Sequence, residues 1–168
     1  MDVYDTSMTR QMRKTEREVK DFDEKISILD RCEVIRVGLI DDPYPYVVPL
    51  SYGYEVVDGK VSLFFHCAPV GRKVELIEKN PHVCVECDMS KLFRGEERGI
   101  SCDFESLICD GTVTEVHSEE ALKGLRLIME HCGYGNRKIT EAILERLKVY
   151  RIDLVDISGK RRAEDQHH

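Results

Sequence analysis

The strongest constraint on the fold is a run of alternating side chains between Tyr46 and Val56. Its even positions are all large, whereas its odd positions are mostly small or polar and include Pro49, Ser51 and Gly53. Strict alternation over this length is typical of one β-strand with a single face on a hydrophobic core. Asp58-Gly59 follows the run and predicts a hairpin turn into a second strand. The pattern therefore predicts neighbouring antiparallel strands.

The remaining periodic segments place helices between groups of strands. Further strands are predicted over 34–40, 82–87, 101–117 and 149–157, with Gly111 as a candidate bulge. Helices are predicted after the N-caps Asp21 and Ser118, over 70–80, and around 140–147. The strands are mostly contiguous in sequence rather than alternating with helices. This order favours a mainly β, α+β fold, an antiparallel barrel with peripheral helices, over a doubly wound sheet.

The 168 residues fit one domain with a substantial core. No repeat, low-complexity tract or linker divides the chain. Residues 1–20 are polar and highly charged and are interpreted as an N-terminal arm that docks late or stays mobile. We therefore expect a single domain over 21–162 and a short tail over 163–168.

Charge and cysteine usage limit the partners and the compartment. The net charge of −7 argues against nucleic acid, because a polyanion requires a basic surface. No stretch is apolar enough to span a membrane, and the first residues lack the apolar core of a signal peptide. The seven cysteines are odd in number and lie mostly in apolar runs, which favours reduced thiols over a disulfide framework. We expect a cytoplasmic protein.

The segment HCAPVGRK, residues 66–73, is the central candidate for a binding site. It joins the end of a strand to a helix, with Gly71 near the helix start and Arg72 and Lys73 in the first turn. Exposed N–H groups and the helix dipole favour an anion there, and the two cations add charge-assisted hydrogen bonds. A dianionic phosphate fits this pattern. The alternative is a solvated basic first turn, although basic residues at a helix start oppose the dipole.

Two further features lie beside this segment. Pro49, Ser51 and Gly53 form a low face against which a flat heteroaromatic ring could lie, unless that face is solvated or covered by another strand. His66 ends its strand on the side opposite Leu63 and could act as acid, base or hydrogen-bond donor. A purely structural hydrogen bond is the alternative for that histidine.

Other constellations give weaker signals. Cys84 and Cys87 form a CxxC, but on a strand these positions point to opposite faces, and no second CxxC completes a zinc site. Asp103 and Glu105 share one side of a strand, which is interpreted as a solvated face rather than a hydrolytic carboxylate pair.

Several segments resemble the FMN-binding split-barrel proteins related to pyridoxamine 5′-phosphate oxidase. They are MRKTEREV, YPYVVPLSYGYE, LFFHCAPVGRKVELIEKNPHVCVE, FESLICDGTV and ISGKR, which cover about Met12 to Arg161. Within that family the chain is most similar to the nitroimidazole-resistance (Nim-type) branch. The resemblance implies a six-stranded antiparallel split β-barrel with peripheral helices, and a homodimer that binds two FMN molecules at the subunit interface.

The resemblance also implies roles for individual residues. Arg72 and Lys73 would hold the FMN phosphate, and His66 would face the flavin and its substrate as the catalytic residue. The other residues implied to bind the cofactor are Pro49, Leu50, Ser51, His66, Cys67, Ala68, Ser106 and Lys160.

The residues leave three functions open. The leading prediction is an FMN-dependent oxidoreductase that reduces a small electron-poor acceptor such as a nitroaromatic, with NAD(P)H as a candidate electron donor. A non-catalytic protein that binds FMN or haem for sensing or storage is the alternative. Pyridoxamine 5′-phosphate oxidation is a lesser one, because no second phosphate site can be placed for that substrate. The fold alone does not decide among them.

Overall fold

A computed structural model describes residues 12–96 and 99–162. Over these ranges the chain forms three α-helices and eight β-strands. The helices are α1 (Phe22–Arg31), α2 (Arg72–Lys79) and α3 (Ser118–His131). The strands are β1 (Glu18–Val19), β2 (Ile35–Leu39), β3 (Tyr46–Leu50), β4 (Gly53–Val57), β5 (Lys60–Cys67), β6 (His82–Glu96), β7 (Gly99–Val116) and β8 (Lys148–Arg162). Two short 3₁₀ segments, Thr15–Arg17 and Glu141–Glu145, complete the described secondary structure.

All pairings in the sheet are antiparallel, and seven strands follow the order β3-β2-β6-β7-β8-β5-β4, with β1 paired to β8. Strands near both ends of this path contribute to one buried cluster, for example Val37 from β2 and Leu63 from β5. The sheet therefore curves around a common core, while its two end strands, β3 and β4, do not pair with each other. This arrangement confirms the mainly β, antiparallel split-barrel fold with peripheral helices.

The alternating run between Tyr46 and Val56 forms two strands rather than one. β3 pairs with β2 and β4 pairs with β5, so the two segments lie at opposite ends of the strand order. The strand is interrupted at Ser51 and Tyr52. Tyr52 is fully buried there, and its hydroxyl donates a hydrogen bond to the Cys32 carbonyl at 2.9 Å. The predicted core face is largely correct, because most even positions pack on the core across the break.

The helices close two sides of the sheet. Leu76 and Ile77 of α2 belong to the main core, so this helix packs into the barrel beside β2. α3 covers the outer side of β4 and β5 and builds a second cluster around Phe64. The approach is close: a Cβ at Gly53 would lie 2.2 Å from the backbone carbon of Leu127.

One predicted helix cap is correct and one is wrong. Asp21 caps α1, because its carboxylate accepts a hydrogen bond from the N–H of Glu24 at 2.9 Å. Ser118 does not cap α3. Its φ is +51°, it is the first helical residue, and the N-cap position belongs to His117, which makes no side-chain cap bond. Gly133 ends this helix in the left-handed conformation, at φ +80°.

Two irregularities in the sheet affect which side chains face outward. The register between β7 and β8 shifts at Asp110/Gly111, as predicted for Gly111, and Val155 is the extra residue on β8. A second shift lies between Ser90 and Leu92 of β6. Each bulge changes which side chains of its strand point to the outer face of the sheet.

The described part of the N-terminal segment, from residue 12 onward, joins the sheet through β1. Glu18 and Val19 pair with Lys160 and Gly159, and Val19 is buried in the main core. The rest of the predicted arm, residues 1–11, and the predicted tail, residues 163–168, lie outside the described residues. Of the helices in the described ranges, none is long and apolar enough to cross a membrane.

Candidate functional site

The site is built around the start of α2. Gly71 occupies the N-cap position with φ +135°, and a Cβ there would meet no atom within 4 Å. Because glycine has no side chain, it leaves the first N–H groups of the helix without a side-chain cap. These donors and the positive end of the helix dipole therefore face open space. The local geometry suits an anion.

Arg72 is held in place beside this helix start. Its Nε and Nη2 donate to one carboxylate oxygen of Asp41 at 2.8 and 2.6 Å. The guanidinium also lies over the ring of Tyr46, 4.6 Å from the ring centroid. Neither partner was predicted. Asp41 follows β2 and Tyr46 begins β3, so only the three-dimensional fold brings them to Arg72.

Lys73 and His66 form the second part of the site. Lys73 has no ion-pair partner among residues 12–96 and 99–162, and its Nζ lies 5.7 Å from the ring centroid of Phe65. Partial burial and the nearby Lys73 ammonium lower the pKa of His66 below its ordinary value. The imidazole is therefore neutral near pH 7, with one nitrogen that can donate and one that can accept a hydrogen bond.

Cys67 and Ala68 continue the chain from His66 toward the helix. Cys67 is half-buried opposite Lys148 of β8, and burial raises the pKa of its thiol. The Lys148 ammonium lies 2.9 Å from a carboxylate oxygen of Glu115. Cys67 is thus a protonated thiol, which does not act as a nucleophile in this state. Ala68 is exposed in the connection to α2.

The segment predicted to border a flat ring is only partly available. Pro49 and Ser51 are exposed and Leu50 is half-buried against the main core, so a ligand can reach this end of β3. Gly53 is not part of such a surface, because it is buried under α3. The low face is therefore limited to the end of β3.

Ser106 and Lys160 are not brought to His66 within this chain. They pair with each other across β7 and β8, and the Lys160 Nζ lies 5.8 Å from the ring centroid of Phe104. His66 pairs with Val149, eleven residues earlier on β8. At about 3.3 Å a residue this is roughly 36 Å of strand. One chain therefore presents the predicted binding residues as two separate groups.

A large groove lies on the outer face of the sheet. Its volume is about 1060 Å³. Strands β2, β3, β6, β7 and β8 and the loop from Ile40 to Pro45 line it, with the exposed thiol of Cys84 among the lining groups. Asp41 lines the groove and also holds Arg72, so the groove borders the helix start. Of the predicted site residues, none lines this groove.

Asp103 and Glu105 of β7 were predicted to form a solvated face, and this prediction is wrong. Glu105 is buried and accepts from Arg31 Nη2 and Arg161 Nε, each at 2.7 Å. Asp103 accepts from Arg94 at 2.6 Å. The Glu105 cluster joins α1 to β7 and β8 and serves the fold. Cys84 and Cys87 do face opposite sides of β6, one exposed and one buried, as alternation requires.

The fold and the uncapped helix start together define a split-barrel protein with a site suited to an anion at the start of α2. A family model described as pyridoxamine 5′-phosphate oxidase matches residues 21–161. The chain belongs to that family. No match was found among functionally curated proteins.

Several solved structures are similar over most of their length. One, assigned as a 5-nitroimidazole antibiotic resistance protein from Bacteroides thetaiotaomicron, is 27% identical, with 88% of this chain and 90% of that chain covered and a TM-score of 0.76. The flavocytochrome Anf3 from Azotobacter vinelandii is 19% identical, with 96% and 78% covered and a TM-score of 0.76. An FAD- and haem-binding protein from Mycobacterium smegmatis is 15% identical, with 88% and 74% covered and a TM-score of 0.73. The last two likenesses concern the fold alone.

Proposed function

We propose that this protein binds FMN and is an FMN-dependent oxidoreductase that reduces a small, electron-poor acceptor such as a nitroaromatic. One observation carries the proposal. The uncapped start of α2 brings together Gly71, Arg72 and Lys73, which has no ion-pair partner among the described residues, shortly after His66 in the chain, where a phosphate and the polar groups of a cofactor could be held together. The likeness to the 5-nitroimidazole resistance protein supports the choice of acceptor.

The residues fit such a cofactor by their chemistry. The open space at Gly71 lets a phosphate approach the first N–H groups of α2, while Arg72 and Lys73 neutralise its charge. Pro49, Leu50 and Ser51, at the end of β3 that a ligand can reach, would border the flat ring. When bound, FMN would supply the transfer of a hydride or of electrons to the acceptor.

His66 is the residue that we propose to act on the substrate. Because Lys73 and burial keep its imidazole neutral, the ring can donate a hydrogen bond to a polar group of the acceptor without adding charge to the site. His66 is exposed near the end of β5, next to the proposed phosphate-binding segment, so it would be accessible both to the cofactor and to a substrate from solvent. Replacement by alanine should lower turnover more than FMN affinity.

The separation of the two residue groups supports a homodimer. Ser106 and Lys160 lie too far along β8 from the Val149 position opposite His66 to reach the same flavin within one subunit. They can contribute only if a second copy brings its own pair to the site. We therefore propose a homodimer with the cofactor between subunits, in the cytoplasm, with NAD(P)H as the electron donor.

The first test is the visible absorption spectrum of the purified protein, with the released cofactor identified by mass spectrometry. A flavin spectrum and released FMN would support the proposal, and rapid reoxidation of the NAD(P)H-reduced protein by a nitroaromatic would establish the activity. A Soret band would favour haem binding instead, as would be expected of a storage or sensing protein. A protein that stays colourless after incubation with FMN would contradict the proposal.

A further inference from the structure

The hairpin formed by β6 and β7 extends beyond the rest of the sheet. The β7–β8 pairing begins at Phe104, opposite Arg162, so residues 92–96 and 99–103 pair only with each other among the described residues. A two-stranded ribbon is marginally stable on its own in water, and burial within the chain is found here on one face, at Ser101. This end of the hairpin nevertheless carries large apolar side chains at Leu92, Phe93 and Ile100. We call the described residues of this end, 92–96 and 99–103, the hairpin tip.

A bulge determines which of these side chains face outward. Ser90 pairs with Phe104 but Leu92 pairs with Asp103, so β6 has one extra residue at position 91. The shift brings Phe93, opposite Cys102, to the same face as Cys84 and Ile108, and Leu92 to the other face. Ile100 shares the face of Phe93. At 71% and 81% exposed, Phe93 and Ile100 form a protruding apolar pair on the outer face.

The groove on this outer face has a shape complementary to the protruding pair Phe93 and Ile100. It is concave and contains exposed Ile40, Val47 and Val155, apolar side chains that fold stability alone does not require at the surface. The protruding pair Phe93 and Ile100 and this concave apolar surface lie on the same face of the sheet, and they complement each other in shape and apolar character.

The tip cannot dock into the groove of its own chain. Cys84, in the groove, and Phe93, at the tip, lie on the same strand and are nine residues apart. That separation corresponds to roughly 30 Å of chain along β6. A second copy can make the contact, and in a two-fold dimer each copy would place its tip in the groove of the other. Both apolar surfaces would be covered at once.

We propose that the outer-face groove receives the β6–β7 hairpin tip of a second copy of this chain, with Phe93 and Ile100 as the apolar anchors. The inference rests on the proposed homodimer and assigns the element that forms it. Because Asp41 lines the groove and also holds Arg72, the docked tip lies beside the proposed phosphate site. The partner copy then contributes a wall to the cofactor site as well as Ser106 and Lys160.

The exposed thiol of Cys84 provides a direct test of this contact. We would introduce Ile100→Cys into full-length protein that carries Cys102→Ser and Cys132→Ser, and treat it with a short bismaleimide. The expected result is a covalent dimer that disappears when Cys84→Ser is added. Val57→Cys, an exposed position in β4 at the far end of the strand order, is the matched control and should give no such product.

A pair of adjacent substitutions tests the energetic role of the anchors. Phe93→Glu should weaken dimerisation at least tenfold in sedimentation equilibrium, whereas Leu92→Glu, on the opposite face of the same hairpin, should change it less than threefold. A dimer that gives no Cys84-dependent product would overturn the hairpin assignment alone. If the unmodified protein is a monomer that still binds FMN, both the hairpin assignment and the homodimer are overturned. If the unmodified protein is a dimer that does not bind FMN, only the proposed function is contradicted.

Discussion

Arg72 and Asp41 form a forked pair in which Nε and Nη2 of the arginine donate to the same carboxylate oxygen, at 2.8 and 2.6 Å. The guanidinium is also stacked on Tyr46, so its position is set before any ligand arrives. Preorganisation of this kind reduces the side-chain entropy that binding must overcome. The pair also connects the loop after β2, which contains Asp41, to the start of α2, which contains Arg72. Because Asp41 lines the outer groove, the pair links that groove to the proposed phosphate site.

Removal of the Arg72 side chain should weaken FMN binding. Arg72→Ala loses a charge-assisted contact to phosphate, which is worth about 1.5–3 kcal/mol and corresponds to an increase in Kd of about tenfold or more. Arg72→Lys should lie between, because a lysine keeps the charge but not the fork. Isothermal titration with FMN measures the effect. The control is Lys79→Ala, at the other end of α2, which makes the same change in net charge and should leave the Kd for FMN within twofold of the unmodified protein. An equal loss of FMN affinity in both variants would mean that net charge alone is responsible.

The protonation of His66 should depend on Lys73. The Lys73 ammonium disfavours the imidazolium form, so Lys73→Ala should raise the pKa of His66 toward the ordinary value of about 6.5. In the unmodified protein the NMR titration of the His66 ring should have its midpoint below that value, because burial acts in the same direction. Since the folded state disfavours protonation, the His66 contribution to stability is fully present above the unfolded pKa and falls as the pH decreases below it. A midpoint unaffected by Lys73→Ala would refute this coupling.

The buried carboxylate of Glu105 should be a major contributor to stability. Glu105→Ala leaves Arg31 and Arg161 without their shared acceptor, and we expect the free energy of unfolding to fall by roughly 2–4 kcal/mol, reduced by the partial exposure of both arginines. Urea denaturation gives this value. The matched control is Glu86→Ala, which breaks the exposed pair with Arg36 and should cost less than about 1 kcal/mol. Similar losses in the two variants would show that Glu105 is solvated.

The approach of α3 to β4 makes Gly53 intolerant of any side chain. A methyl group would lie 2.2 Å from the backbone of Leu127, which cannot move without displacing the helix. Gly53→Ala should therefore destabilise the protein by about 3 kcal/mol or more, as overpacking against backbone does at the upper end of its range. Gly38→Ala is the comparison, because its nearest contact would be 3.5 Å and its effect on the melting temperature should be small. A wild-type melting temperature for Gly53→Ala would contradict the packing of α3.

The local patterns in the sequence predict the elements better than they predict how these elements assemble. The Asp21 cap, the Asp58-Gly59 turn and the core face of the 46–56 run depend on neighbouring residues, and all three are found. The break at Ser51 is not visible in the alternation, because the period of two continues through Tyr52 while the chain leaves one edge of the sheet for the other.

Residues far apart in sequence explain what was missed at the site. Asp41 has no pattern that marks it as a partner of Arg72, because thirty-one positions separate them. Glu105 occupies an ordinary place in an alternating strand, and its burial depends on arginines from α1 and from the end of β8. The distance between His66 and the Ser106–Lys160 pair likewise follows from the length of β8, which no motif specifies.

The position of β8 has a consequence for synthesis on the ribosome. This strand is the last of the described elements to be made, yet it lies between β7 and β5 and also pairs with β1. Until residues 148–162 leave the exit tunnel, β5 and β7 each present an open edge that can pair with another nascent chain. The barrel can therefore be completed only after β8 has been made, and truncation before β8 should leave an aggregation-prone chain rather than a smaller folded domain.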